Sequence, residues 1–504
     1  MKSLSKNVVM TIIARLVTLF TGLIVQRRIL VAYGSTLNGL TSSITQVMSY
    51  LVILEAGLGT ASIQALYLPL SQKNWDKVSG IVTATGKEYR RIAFAFSLGL
   101  IGAAVLIPLA VAGQIEFALA SALTLITGGS YIVSYIFGGK YKALLNADRK
   151  LYVLHIADSL SILLSCVLRV MALDAGYGIV AVQSINLLCV LCKNIGYVAF
   201  VKRKYNTINY SAKPDLKAVN KRWNVLVHNL AGLVVNHTDI IILTIFADLK
   251  LVSLYGVYNL VFAQLSTMVQ STFMQAPQSN FGHLFHEDRE RFEKYYGIYE
   301  TGFSILLFVV TTISLILIIP FVSLYTRGVN DINYIDPNLA ILFALILLMN
   351  QIRIPSLITI SVAGAFKETQ NGAIIEAVIN ITVSLLLYFL TPLGLYGLLI
   401  GTVCSYVFRT SDVIAYVYRH LVNRSIYRLV RLLTVNAVTA AGLYVVFIMR
   451  LPVNTNSYIG WVLKAIVVSL IVTMTFGLVN YLFNKEDTKE LFGFGISRIH
   501  ALMH

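Results

Sequence analysis

About fourteen runs of roughly twenty apolar residues, separated by short charged or Gly- and Asn-containing breaks, fill nearly the whole sequence. Each run is long enough to cross a hydrocarbon core of about 30 Å as a helix. In lipid every backbone N–H and C=O must find a partner within the protein, so such runs fold as helices. The expected spans are 8–30, 40–68, 92–112, 116–138, 151–172, 178–200, 226–247, 252–280, 298–323, 337–361, 371–391, 395–418, 431–449 and 459–483. With 57% hydrophobic and 12% charged residues among 504, a soluble shell could not cover the apolar surface. The fold class is therefore all-α integral membrane protein, and lipid is its main solvent. The first run contains Arg15 and lacks a small-residue cleavage pattern, so it reads as a retained helix rather than a signal peptide.

A formal charge of +17 in a soluble protein would suggest nucleic acid. Here the basic residues fall in bands between apolar runs. Threading the helices from a cytoplasmic N-terminus puts about 29 of the 40 Lys and Arg in cytoplasmic segments and about five outside. This bias predicts both termini in the cytoplasm, and nucleic acid is not an expected partner. Basic inner segments are expected at Lys73–Arg91, Lys140–Lys150, Lys202–Arg222 and Arg419–Arg431. The outer turns are short, so no external domain is expected. Cys166, Cys189, Cys192 and Cys404 lie within apolar runs without metal-ligand spacing and read as small buried apolar residues.

The longest inner connection divides the chain into residues 1–200 with six helices, a cytoplasmic linker at 201–225, residues 226–418 with six more, and residues 419–504 with a terminal pair and tail. Two six-helix groups share one orientation, which predicts a parallel pseudo-repeat. Tyr33-Gly34 and Tyr255-Gly256 occupy matching turns, and Tyr177-Gly178 and Tyr396-Gly397 open the sixth and twelfth helices. Tyr296-Gly297 falls outside the pattern.

Ionisable side chains at bilayer depth cost about 2.5–3.5 kcal/mol on insertion scales, so each needs a partner or water. Arg169, Lys464 and Glu300 lie near expected helix ends, where side chains can reach the headgroups. Arg15, Lys193, Arg353 and Arg409 lie deeper. Together they would suit an anion such as a pyrophosphate, Arg with its planar fork and Lys as a point charge. Local neutralisation is the alternative for Arg409, three residues from Asp412, and for Arg353, beside Asn350 and Gln351. Arg15 has no acid within helical reach. Glu55, His237, Asp239 and Glu376 are candidates for proton or sodium coupling or for a polar cavity wall, with interhelical hydrogen bonding as the structural alternative. No Walker-type loop, zinc motif or serine elbow occurs, so neither a metal nor a cofactor is expected, and the chain does not read as an enzyme.

Asn7-Val-Val-Met-Thr-Ile-Ile-Ala-Arg15, Glu55-Ala-Gly-Leu-Gly-Thr60 continuing to Leu66-Tyr-Leu-Pro-Leu70, and Tyr396-Gly-Leu-Leu-Ile-Gly-Thr402 resemble the polysaccharide transporter (Wzx-type) flippases of the multidrug/oligosaccharidyl-lipid/polysaccharide (MOP) superfamily. The resemblance spans roughly the whole chain. It implies two six-helix lobes forming a V around a cavity, alternating access, and residence in the bacterial cytoplasmic membrane. The implied cargo is an undecaprenyl-pyrophosphate-linked oligosaccharide, with membrane lipids, a polysaccharide polymerase and export machinery as partners. Arg15, Lys193, Arg353 and Arg409 fall where such a family would place cationic cavity residues. Flippases for teichoic-acid or peptidoglycan lipid precursors share this outline. A cation-coupled multidrug antiporter is disfavoured, because helix 1 offers Arg15 and no acid.

Overall fold

The computed structural model describes residues 2–55, 57–219, 238–449, 453, 455–485, 488 and 491. Among the described residues there is no strand, and twelve helices are long and apolar enough to cross a membrane. The first of these, Ile13–Ser71, has 59 residues, about 88 Å if it were straight, nearly three times the hydrocarbon thickness. It therefore comprises two spans, and the backbone shows where they part. Gly34 inside Lys2–Leu51 adopts φ 78° and ψ 179°, a conformation open to glycine and costly for residues with a Cβ. The next span starts there with Ser35, whose N–H and hydroxyl both donate to Asp331, at 2.9 and 2.6 Å. Thirteen of the fourteen expected spans are thus accounted for. The seventh, expected at 226–247, is described only from residue 238, and 238–246 is helical.

Helix starts follow local chemistry. Asn74, Asp288, Asp336 and Ser457 each accept a hydrogen bond from a backbone N–H three residues on, and Pro337 follows its cap in a position where no N–H is needed. Two helices run well past the expected boundaries. Trp75–Ala110 and Arg289–Tyr325 have 36 and 37 residues, about 54 and 55 Å, so their polar N-terminal turns extend beyond the hydrocarbon. The basic stretch Lys73–Arg91, expected as an inner connection, is largely the start of that first helix.

Contacts divide the chain into two compact units. One comprises Met1–Gly256 with Gly328–Ile332, and the other Val257–Arg327 with Asn333–His504. Within the first, Asn38 donates to Ser253 at 2.7 Å, Ser43 and Thr244 share a hydrogen bond of 2.6 Å, and Ser62 meets Thr85 at 3.1 Å. Within the second, Asn380 donates to Thr402 at 3.0 Å and Asn480 to Asn436 at 2.7 Å. Lipid and protein interior are equally apolar, so such small and amide side chains supply the specific attraction between helices. The side chains left outside are those lipid tolerates, for example Leu106, Leu160, Met171, Leu390, Ile459 and Met474. Cys166 and Cys189 are buried as expected, whereas Cys192 and Cys404 are exposed.

Helices Phe366–Leu390 and Leu395–His420 approach so closely that a Cβ on Gly401 would lie 2.3 Å from Ser384 Oγ and 2.5 Å from its nitrogen. Gly401→Val should cost about 1–3 kcal/mol through overpacking against backbone that cannot yield. Thermal unfolding of the purified protein in detergent checks this, and an unchanged midpoint contradicts it.

Candidate functional site

Among the described residues, four helices lose regularity within the spans expected from the sequence, and the breaks recur in both units. In the first unit the second span is interrupted by a 3₁₀ turn at Val52–Glu55 and by Gly57 in the left-handed region. The fourth carries a π turn at Ser134–Gly138. In the second unit the eighth span breaks at Met274, between Leu249–Phe273 and Gln275–Glu287. The tenth breaks at Arg353, between Pro337–Ile352 and Ile354–Ala363. Met274 follows Glu55 by 219 positions, and Arg353 follows Ser134 by the same interval, which is also the spacing of the Tyr177-Gly178 and Tyr396-Gly397 pairs. Irregular backbone survives in a bilayer only where protein or a water-lined cavity satisfies it. At the tenth span the break has a cause. Pro355 cannot donate to the carbonyl four residues before it, and Arg353 turns back so that its Nε donates to the Asn350 carbonyl at 3.2 Å and its Nη2 to Asn350 Oδ1 at 2.8 Å.

A charge centre accompanies the breaks in each unit. In the first, Lys193 Nζ lies 2.9 Å from Asp158 Oδ1, and Tyr197 donates to the same carboxylate oxygen at 3.0 Å. Glu55 accepts from Tyr89 at 2.8 Å, and Lys142 lies within electrostatic range of Lys193, Asp158 and Glu55. Arg15 is exposed and has no ion-pair partner among the described residues. It stands within electrostatic range of His155, one turn from Asp158 on the helix Leu151–Asp174.

In the second unit Glu376 joins two cations, Arg353 at 2.8 Å and Arg409 at 3.7 Å, and Arg409 also meets Asp412 at 2.7 Å. The Arg353 guanidinium stacks 5.1 Å from the Tyr406 ring centroid. Helix Phe366–Leu390 can approach this cluster because position 372 is glycine: a Cβ there would lie 2.0 Å from Asp412 Oδ2 and 2.3 Å from Arg409 Nη1. Glu376 follows Asp158 by 218 positions and Arg409 follows Lys193 by 216. The same acid-to-base bridge thus links the fifth and sixth spans of one unit and the eleventh and twelfth of the other. Duplication of an interhelical ion pair is a stronger mark of the repeat than the Tyr-Gly dipeptides.

The sequence-derived candidates therefore separate. Lys193, Arg353 and Arg409 are each bound to a carboxylate, Glu376 is the acid that two of them share, and Arg15 remains open. Glu55 sits at the break of the second span. Asp239 is buried and accepts from Tyr255 at 3.3 Å. His237 lies outside the described residues. Lys142 was missed, because Lys140–Lys150 read as an inner loop; the π turn carries helix onward through Gly139–Ala147 and brings Lys142 to the charge centre. Its sequence signal is the glycine pair Gly138-Gly139 inside an apolar run. Glu300 does not reach the headgroups. Its helix begins at Arg289, and its carboxylate is buried, accepting from Tyr296 at 2.9 Å and Tyr418 at 2.5 Å.

No protein-family model matches this sequence, and no curated protein matches it either. Solved structures do match its fold. The lipid II flippase MurJ in an inward closed conformation shares 15% identity and a TM-score of 0.65, over 94% of this chain and 98% of MurJ. An inward-facing multidrug resistance MATE transporter of the MOP superfamily shares 14% identity and a TM-score of 0.62, over 81% of this chain and 97% of its own. A MOP superfamily transporter from Pyrococcus furiosus, described as having a binding pocket of reverse polarity, gives 15% and 0.53, over 83% and 95%. The chain shares the fold of these solved structures, an all-α membrane architecture, and its last two helices belong to the second of its two compact units.

The Glu376 side chain is 10% exposed and Asp412 37%. Glu376→Gln leaves two buried guanidinium groups without their shared acid and should cost about 3–5 kcal/mol. Asp412→Asn should cost under about 1 kcal/mol, because its carboxylate is solvent-exposed and Arg409 keeps Glu376 as a partner. Thermal unfolding of both variants in detergent checks the contrast, and equal losses contradict it.

Proposed function

We propose that this chain is a Wzx-type flippase. It carries an undecaprenyl-pyrophosphate-linked oligosaccharide from the inner to the outer leaflet of the bacterial cytoplasmic membrane, by alternating access and with both termini in the cytoplasm. The observation that carries the reading is the exposed Arg15 in a first membrane helix that holds no acid. A guanidinium at that depth without a carboxylate is matched to an anion that arrives and leaves, and a pyrophosphate offers the paired oxygens its fork can hold. Lys142, within electrostatic range of Lys193, Asp158 and Glu55, adds a further cation to this unit, while Lys193 is held by Asp158. In the second unit Arg353 and Arg409 are balanced by Glu376 and Asp412. Their contribution to an anionic headgroup is by exchange, a phosphate oxygen displacing a carboxylate as the cargo passes. Glu55 and Asp239 are then the candidates for proton or sodium coupling.

The fold shared with MurJ over 98% of that flippase supports a polyprenyl-linked cargo, and it also favours a second reading in which the cargo is lipid II or a related precursor. Both cargoes present the same anionic linkage to Arg15. A cation antiporter of the multidrug type would need acids where this chain has Arg15.

Arg15→Ala should lower translocation of the lipid-linked sugar at least tenfold and leave the unfolding temperature unchanged, because Arg15 is exposed and holds no ion pair among the described residues. Arg15→Lys should retain part of the activity. Accumulation of lipid-linked sugar on the cytoplasmic leaflet of cells expressing each variant at equal level measures this. Unaltered translocation by Arg15→Ala contradicts the anion-binding role.

A further inference from the structure

The first unit carries a second cationic site, away from the charge centre and assembled differently. The helix Trp75–Ala110 becomes continuously apolar only from Ile92, so Lys87, Arg90 and Arg91 stand one turn before it, at the expected cytoplasmic boundary of the membrane. With Thr83 and Phe94 they line an open groove of about 490 Å³. Lys87 and Arg90 are exposed and have no acid partner among the described residues, while Arg91 is bound to Glu88 at 2.6 Å. Arg90 Nε donates to the Gly86 carbonyl at 3.3 Å, which fixes the stem of the side chain.

Other elements add to the same charge. Lys140, on the helix Gly139–Ala147, sits over the rings of Tyr141 and Tyr210 at 4.9 and 5.0 Å. It lies within electrostatic range of Arg90 and of Lys202, and neither Lys140 nor Lys202 has an acid partner among the described residues. Close approach of Lys140 requires glycine at position 86, where a Cβ would lie 2.9 Å from Lys140 Cδ. Four cations are thus gathered with no carboxylate of their own. This contrasts with the deep centres, where Lys193, Arg353 and Arg409 each have one.

The groove ends at Phe94, and an exposed apolar row continues from it along the same helix. Phe94, Leu98, Ile101 and Val105 follow Lys87 and Arg91 on one helical face, at 68%, 57%, 60% and 45% exposure. A soluble phosphate or nucleotide would make no use of that row. A molecule with a phosphate ester at one end and acyl chains at the other would use both parts, its phosphate among Lys87, Arg90 and Lys140 and its chains along Phe94 to Val105. We propose that this groove is a binding site for an acidic phospholipid of the inner leaflet, distinct from the site of transport.

The full-length protein, purified and delipidated, is offered phosphatidylglycerol or phosphatidylcholine with the same acyl chains, and bound lipid is counted by native mass spectrometry. Phosphatidylglycerol should be retained at least tenfold better. Lys87→Gln with Arg90→Gln should abolish that preference, and Lys87→Arg with Arg90→Lys should restore it. Inorganic phosphate at millimolar concentration should not displace the lipid. In the unmodified protein, a photoactivatable phosphatidylglycerol should label residues 83–105, which tests the site even if the double variant fails to fold. Equal retention of both lipids, labelling confined to other helices, or displacement by undecaprenyl pyrophosphate would each overturn the proposal. The last outcome would make the groove an entry site for the transported lipid.

Discussion

A charge at bilayer depth must find a countercharge or water, and the placement of Arg and Lys in this protein follows from how each one does so. Lys193, Arg353 and Arg409 are met by carboxylates at 2.9 Å or closer. Asp158 and Lys193, and likewise Glu376 and Arg409, are carried by unbroken helices, whereas Arg353 sits at a helix break and couples its ion pair to that break. Arg353 shows the coupling most directly: one guanidinium satisfies the Asn350 carbonyl beside a proline break and bridges to Glu376 on the next span. The ion pair and the irregular backbone are parts of one local solution.

The interhelical ion pair occurs twice. The Asp158–Lys193 and Glu376–Arg409 bridges fall at nearly the same interval as the breaks of the second and eighth spans and of the fourth and tenth. The two copies have diverged in charge. The second unit balances two arginines with two acids, whereas the first sets Lys193, Lys142 and an exposed Arg15 against Asp158 and Glu55. An excess of positive potential on one unit is what an anionic headgroup would seek. In the proposed mechanism a phosphate enters the balanced cluster by exchange, so that no bare charge is left when it departs.

Much of this was legible in the sequence, because lipid imposes simple rules. Run length and the Lys/Arg bias suffice for the helical spans, and the Arg409–Asp412 pairing follows from a three-residue spacing. What sequence could not supply were partners distant along the chain. Nothing near Lys193 announces Asp158, 35 residues earlier, and Glu376 stands 23 positions from Arg353. Lys142 was hidden because a basic stretch before a turn ordinarily marks a loop, and the π turn that extends its helix leaves only two adjacent glycines as a trace. Glu300 was misplaced because the polar start of its helix, from Arg289, reads as a connection until the helix is seen to run beyond the hydrocarbon.

The central claim is that the protein moves an anionic, polyprenyl-linked headgroup rather than an organic cation. Its most direct test is translocation in proteoliposomes of the purified chain, with a fluorescent undecaprenyl-pyrophosphate-linked sugar in one set and a fluorescent organic cation in another. The account predicts protein-dependent loss of the lipid-linked sugar from its starting leaflet and no protein-dependent movement of the cation. Transport of the cation with the lipid-linked sugar left in place would contradict it.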